Sequence, residues 1–312
     1  MGKLRFTGGK FQVVVEKADR EEEAVLRKLR QFLDRHEPEL VYFLVNLWNA
    51  QGRAITYKEL REAILTGEIS ADYLEEWQQD YSLFVTEHLR PAWIMAIDAA
   101  VDDLKKRFPE WRFEPMSDGI RDWAERRGAE FVTNSTQAQI DALRAVVQRA
   151  AGLEDMGVDQ LARAIRPIVG LTYQQGIANA NYYQNLITNG TSAKRALDLS
   201  IRYAARQHRY RGYNIARTEL AFAYNKGAYE GTKQAQEAGY LGEMVKVWST
   251  ADDERVCPIC GGLEGKRVAM DEEFDFYTKL QTTNPGIRRT PPAHPSCRCA
   301  VLYKEISPPI FR

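Results

Sequence analysis

Five soft or borderline donors stand near the C-terminus: Cys257 and Cys260 in Cys-Pro-Ile-Cys, then His294, Cys297 and Cys299 in His-Pro-Ser-Cys-Arg-Cys. They include every cysteine of the 312-residue chain. Thiolates two or three residues apart turn onto one ion from a tight knuckle, and a tetrahedral zinc site takes four such donors. The pattern predicts a structural zinc held by Cys257, Cys260, Cys297 and either His294 or Cys299. Gly261-Gly262 lets the backbone turn back toward the thiolates, and Pro291-Pro292 with Pro295 stiffens the approach to the second knuckle. A disulfide or buried free thiols are the competing readings. A catalytic zinc keeps an open position beside a general base, and nothing among five donors marks one as vacant. A redox Cys-x-x-Cys would sit in a βαβ pattern, which these neighbours lack.

A second set of residues has the ingredients of a nucleic-acid surface. Lys194, Arg195, Arg202, Arg206, Arg209, Arg211 and Arg217 face one acid, Asp198, with Tyr203, Tyr210 and Tyr213 interleaved. Cations neutralise phosphates and rings stack on bases, so Arg202, Arg206, Arg209 and Arg211 are candidate DNA contacts. A solvated helix face with tyrosines turned into the core is the plainer account. His36, His88 and His208 are isolated in helical patterns and read as surface or satisfied core residues.

These groups need elements to position them. Apolar residues recur at three- and four-residue spacing over the first two thirds, predicting helices, with strand-like alternation scarce. Pro38 is expected to end a first helix before Leu40 resumes the pattern. Thr56 with Glu59 has capping-box spacing, and Ser70 marks another start. Further helices are expected at roughly 91–107, 117–132, 136–150, 158–166, 172–188, 192–208 and 211–237, with turns at Asn189-Gly190 and Gly239. Trp48, Trp77, Trp93, Trp111 and Trp123 fit helix packing. After Gly239, Met244-Val-Lys-Val-Trp248 alternates like a strand and the rest is rich in Pro, Gly and Thr. The fold class expected is mainly α with a small α+β C-terminal module, its scant apolar pattern supplemented by metal.

Composition narrows the function. Hydrophobic residues at 44% and charged residues at 28% describe a globular chain, and a net charge of zero confines any DNA contact to a local patch. No secretory leader pattern opens the sequence, and its strongest apolar stretch, Leu40 to Trp48, is too short for a membrane span. A reducing cytoplasm is the expected setting, where clustered cysteines are more often ligands than disulfides.

Trp248-Ser-Thr-Ala-Asp252-Asp-Glu-Arg255-Val-Cys257-Pro-Ile-Cys260, Leu263-Glu-Gly265 and Pro291-Pro-Ala-His294-Pro-Ser-Cys297-Arg-Cys299 together resemble the C-terminal signature of phage Mu F-like minor head proteins, a head morphogenesis family. Ile215-Ala-Arg217-Thr218-Glu219-Leu-Ala-Phe-Ala-Tyr-Asn225 is similar to a second signature of that family, and the two occur in the expected order. The resemblance covers roughly 120–300. It divides the chain into a helical region 1–115, a possible partner-binding part, and a Mu F-like domain 116–312, helical over 116–238 and metal-braced over 239–312.

The resemblance implies a virion component inside the head, made in the host cytoplasm, that associates with the portal protein, with capsid or scaffold proteins and with double-stranded DNA. It implies assembly work and no catalytic residues. Arg217, Thr218 and Glu219 read as a partly buried ion-pair network, with partner contact as the alternative; an ADP-ribosyltransferase-like site would need glycine and strand context that is not evident. The rival functions are a metal-dependent nuclease and a nucleic-acid-binding zinc module. The nuclease is weakened because His294 is the only histidine after His208.

Overall fold

The computed structural model describes residues 3–7, 10–14, 20–66, 71–150, 158–251, 253–276 and 289–308. Ser70, an expected helix start, and Asp252 lie outside them. In chain order the elements are β1 (Lys3–Thr7), β2 (Lys10–Val14), α1 (Arg20–Ala54), α2 (Tyr57–Thr66) and α3 (Ala71–Phe84). A π-helical turn (Val85–Leu89) leads into α4 (Arg90–Ala99), α5 (Asp102–Arg107), α6 (Asp118–Ala150) and α7 (Val158–Ile165). A 3-10 turn (Arg166–Ile168), α8 (Tyr173–Thr188), α9 (Ala193–Glu237), β3 (Glu243–Ser249), a single-turn α10 (Pro258–Gly261), β4 (Arg267–Ala269) and β5 (Ala300–Ser307) follow. The mainly helical class with a small C-terminal sheet is as expected.

Three expectations about continuity are corrected. Pro38 lies inside α1. Leu40, Val41, Leu44 and Trp48 beyond it are all buried, and their packing outweighs one missing backbone hydrogen bond. The breaks expected near 133–135 and 209–210 are absent, since α6 and α9 run through them. Polar runs such as Thr133-Asn-Ser135 look like turns locally, yet Ser135 and Thr136 are buried within the helix. Near the N-terminus, β1 pairs antiparallel with β2 from Lys3↔Val14 to Thr7↔Lys10. In the sequence the two residues between the strands are Gly8-Gly9, a pair that signals a hairpin.

The chain divides into two compact units, each assembled from separated segments: Met1–His36, Trp93–Ile120 and Arg217–Arg312 form one, Glu37–Ala92 and Arg121–Ala216 the other. The second unit is a helical core. Leu60 and Ile64 of α2, Trp77 of α3, Leu143, Val146 and Val147 of α6, and Ile165 and Ile168 close on one another. Thr56 and Glu59 form the expected cap, Thr56 N donating to Glu59 Oε2 at 2.8 Å. A polar chain crosses this interior: Trp48 Nε1 donates to Tyr81 Oη at 2.9 Å, and Tyr81 Oη donates to Gln139 Oε1 at 2.8 Å. Gly170 has φ +84°, and a Cβ there would lie 2.2 Å from Trp48 Cγ, so glycine is needed both for the turn and for the room.

In the first unit, α9 from Thr218 to Asn225 is buried throughout. Its small residues let other backbone approach, and a Cβ on Gly227 would sit 2.4 Å from the Ile97 carbonyl oxygen. Beside it β4, β3 and β5 form an antiparallel sheet in that order, with Lys246 opposite Tyr303 and Trp248 opposite Val301. Gly239, at φ +79°, makes the expected turn out of α9.

Candidate metal centre

Cys257 caps the N-terminus of α10, its Sγ accepting from Cys260 N at 3.4 Å, so one turn of helix presents both sulfurs on one side. A turn in which Cys297 N donates to the His294 carbonyl brings up the second knuckle. His294 Nε2 lies 3.1 Å from Cys257 Sγ and 3.4 Å from Cys260 Sγ, and Cys260 Sγ lies 3.7 Å from Cys297 Sγ. Two groups of three donors form, Cys257–Cys260–His294 and Cys260–Cys297–Cys299, each with its ligand atoms within 4.8 Å of one another. Cys260 belongs to both.

The donor set fits a tetrahedral ion. Thiolates about 2.3 Å from zinc stand about 3.8 Å apart along a tetrahedral edge. The observed separation of Cys260 from Cys297 is 3.7 Å. The histidine is also oriented for ligation. Its Nδ1 is 2.9 Å from the Pro295 carbonyl, which fixes the proton there and leaves the Nε2 lone pair facing the sulfurs. A hydrogen bond from Cys260 holds the buried Cys297 thiol well below its usual range, while the same bond pushes Cys260 up. A divalent cation would neutralise sulfurs crowded this closely.

The surroundings lock these loops in place. Trp248 is fully buried under the sulfurs, with Phe274 and Phe276 edge-on to it at 5.1 and 5.5 Å. Two side chains of α9 clamp the C-terminal segment: Ser296 N donates to Thr218 Oγ1 at 2.9 Å, and Val301 N donates to Asn225 Oδ1 at 3.3 Å. Arg298, between two cysteines, donates both terminal nitrogens to Asp253 at 2.7 Å. That guanidinium holds the Asp253 carboxyl well below the usual carboxylate range. Buried Lys246 donates to the carbonyls of Glu272 (2.6 Å) and Arg289 (3.1 Å). Burial pushes its pKa down to about 8.

All five predicted donors and Trp248 therefore come together. Thr218 and Glu219 are buried, and Arg217 is partly so. In the sequence Asn225 stands within a motif without a distinguishing role, and nothing local marks Lys246, Asp253 or Arg298. Their partners are 26 to 76 residues away in sequence, beyond any local pattern. The candidate DNA contacts divide. Arg202, Arg206 and Arg209 are exposed, and Tyr210 and Tyr213 are 66% and 43% exposed. Arg211 is a correction: it is buried, its guanidinium 5.1 Å over the Trp48 ring and bonded to the Gly170 carbonyl, so it is committed to the core. His208 is a satisfied core histidine, Nε2 2.8 Å from the Val169 carbonyl.

No curated protein and no solved structure matches the chain. The family model described as Phage Mu protein F like protein matches residues 160–302. That span takes in the α9 clamp, the sheet strands β3 and β4 and all five donors. Over residues 160–302 the chain is thus similar to the phage Mu F-like family, and the donor cluster lies inside that match.

Proposed function

We propose that the chain is a minor head protein of a tailed phage that acts by binding, in contact with the portal and with packaged DNA, and that a structural zinc braces its C-terminal module. The Mu F-like match over residues 160–302 supports a general structural role in a phage. The observation that carries the finer reading is the coincidence of that domain with a closed donor cluster clamped by Thr218 and Asn225. Cys257, Cys260, His294 and Cys297 would hold the zinc, with Cys299 beside Trp248 as a neighbour. Four protein ligands leave no position for a water, which favours bracing over hydrolysis. Cross-linking within assembling heads tests the assembly role: links from this chain to the portal protein are expected, and their absence from heads that contain the chain would refute it.

The DNA contact rests on one face of α9. Arg195, Arg202, Arg206, Arg209 and Tyr213 follow one another at seven-, four-, three- and four-residue steps, and all are exposed. Arg206 stacks on Tyr203 at 5.6 Å. Replacing Arg202, Arg206 and Arg209 with Gln is expected to weaken duplex binding and lower its salt slope by about one per arginine. An unchanged slope removes this contact from the proposal.

A further inference from the structure

The arginine face of α9, in the second unit, carries more than cations. At about 100° of turn per residue, the four arginines Arg195, Arg202, Arg206 and Arg209 share a sector of about 120° with Leu199, Tyr203, Tyr210 and Tyr213, and no acid falls inside it. Asp198 stands just beyond its edge. The three rings differ in their surroundings. Tyr203 is partly buried, with the Tyr182 ring of α8 at 4.9 Å and the Arg206 guanidinium at 5.6 Å. Tyr210 and Tyr213 are 66% and 43% exposed, and among the described residues no ring or cation covers either.

A duplex offers phosphates to such a face but keeps its base faces stacked on one another, so open tyrosine rings gain little from it. An unpaired strand offers both phosphates for the guanidiniums and base faces for the rings. Resting on the DNA contact proposed for α9, we infer that this face takes single-stranded DNA in preference to duplex, its bases stacking on Tyr210 and Tyr213 and its phosphates held by Arg202, Arg206 and Arg209. Tyr210 and Tyr213 are about 4.5 Å apart along the helix axis, close to the 3.4 Å rise of successive bases in a strand, so neighbouring bases reach both rings. Because every base has a π-face, the binding carries no sequence preference.

Anisotropy titration of the full chain tests this, with a labelled single strand longer than the sector and a duplex of the same length. The single strand is expected to bind about tenfold more tightly than the duplex at equal salt. Tyr210→Ala and Tyr213→Ala are each expected to weaken the single strand about tenfold, with its salt slope and the duplex affinity unchanged, whereas Tyr210→Phe keeps the ring and the binding. Duplex bound as tightly as the single strand, or single-strand affinity untouched in both alanine variants, overturns the preference; the DNA contact itself then stands if duplex binding still loses salt slope with the arginines replaced. Binding of neither form removes the DNA contact and this inference with it. Both tyrosines are exposed, so an unchanged helical signal in the variants keeps folding out of the comparison.

Discussion

Around Trp248, Leu263, Phe274, Phe276 and Val301 a small group of apolar side chains lies under four thiols and an imidazole. Around Trp77 and Leu143 the order is reversed: aliphatic side chains from α2, α3, α6 and α7 close on each other, and no metal-binding cluster occurs among the described residues there. Two ways of offsetting chain entropy are at work in one polypeptide. The helical unit relies on buried area and on a few satisfied polar atoms, such as Tyr81 between Trp48 and Gln139. In the C-terminal module the donors of distant loops come together, and on the proposed reading a metal would join them, each ligand counting for much more than its apolar area.

The comparison breaks most sharply at Cys260, which both donor groups share. Cys260→Ser is expected to abolish stoichiometric zinc and unfold the module, since metal-linked folding in small zinc modules is worth on the order of 10 kcal/mol. Metal analysis with limited proteolysis would report it, with cleavage confined to 239–312 and the helical signal kept. A variant that retains both zinc and protease resistance would remove the metal from the account.

The next effect tests the other unit. Gly170→Ala forces a left-handed backbone on alanine and drives its Cβ into Trp48. Strain and overpacking together predict a loss of about 3 kcal/mol in denaturant unfolding, with zinc content unchanged. A loss well under 1 kcal/mol would mean that Trp48 can retreat and that this core is looser than its packing indicates.

The smallest effect concerns acid. Burial pushes His208 down to about 4, from 6.5 when unfolded. Between those values the unfolded chain takes up a proton that the folded one refuses, so stability is full above pH 6.5 and falls as pH drops toward 4. At pH 5 the loss from this residue is roughly 2 kcal/mol. His208→Asn is expected to flatten that slope in urea titrations of the helical signal at pH 7 and 5. An unaltered slope would place the acid sensitivity elsewhere.

Features set by neighbouring residues were legible in the chain. The Cys257–Cys260 pair, the His294–Cys299 run, the Thr56–Glu59 cap and the Gly239 turn each lie within a few residues, where spacing and backbone preference dictate geometry. The Gly8-Gly9 dipeptide in the sequence between β1 and β2 is an equally local hairpin signal. The same locality explains why the two Mu F-like signatures are legible within residues 160–302, the span that the family model matches.

Sequence alone therefore determined the donor set, the helical class and the basic run of α9, because residue type and short-range period settle these. Only the tertiary structure decided that α1 continues through Pro38, that Arg211 belongs to the core with Trp48, and that Thr218 and Asn225 hold the second knuckle. Those outcomes depend on side chains distant in sequence competing for the same buried space. Local propensity carries no term for that competition, and packing resolves it.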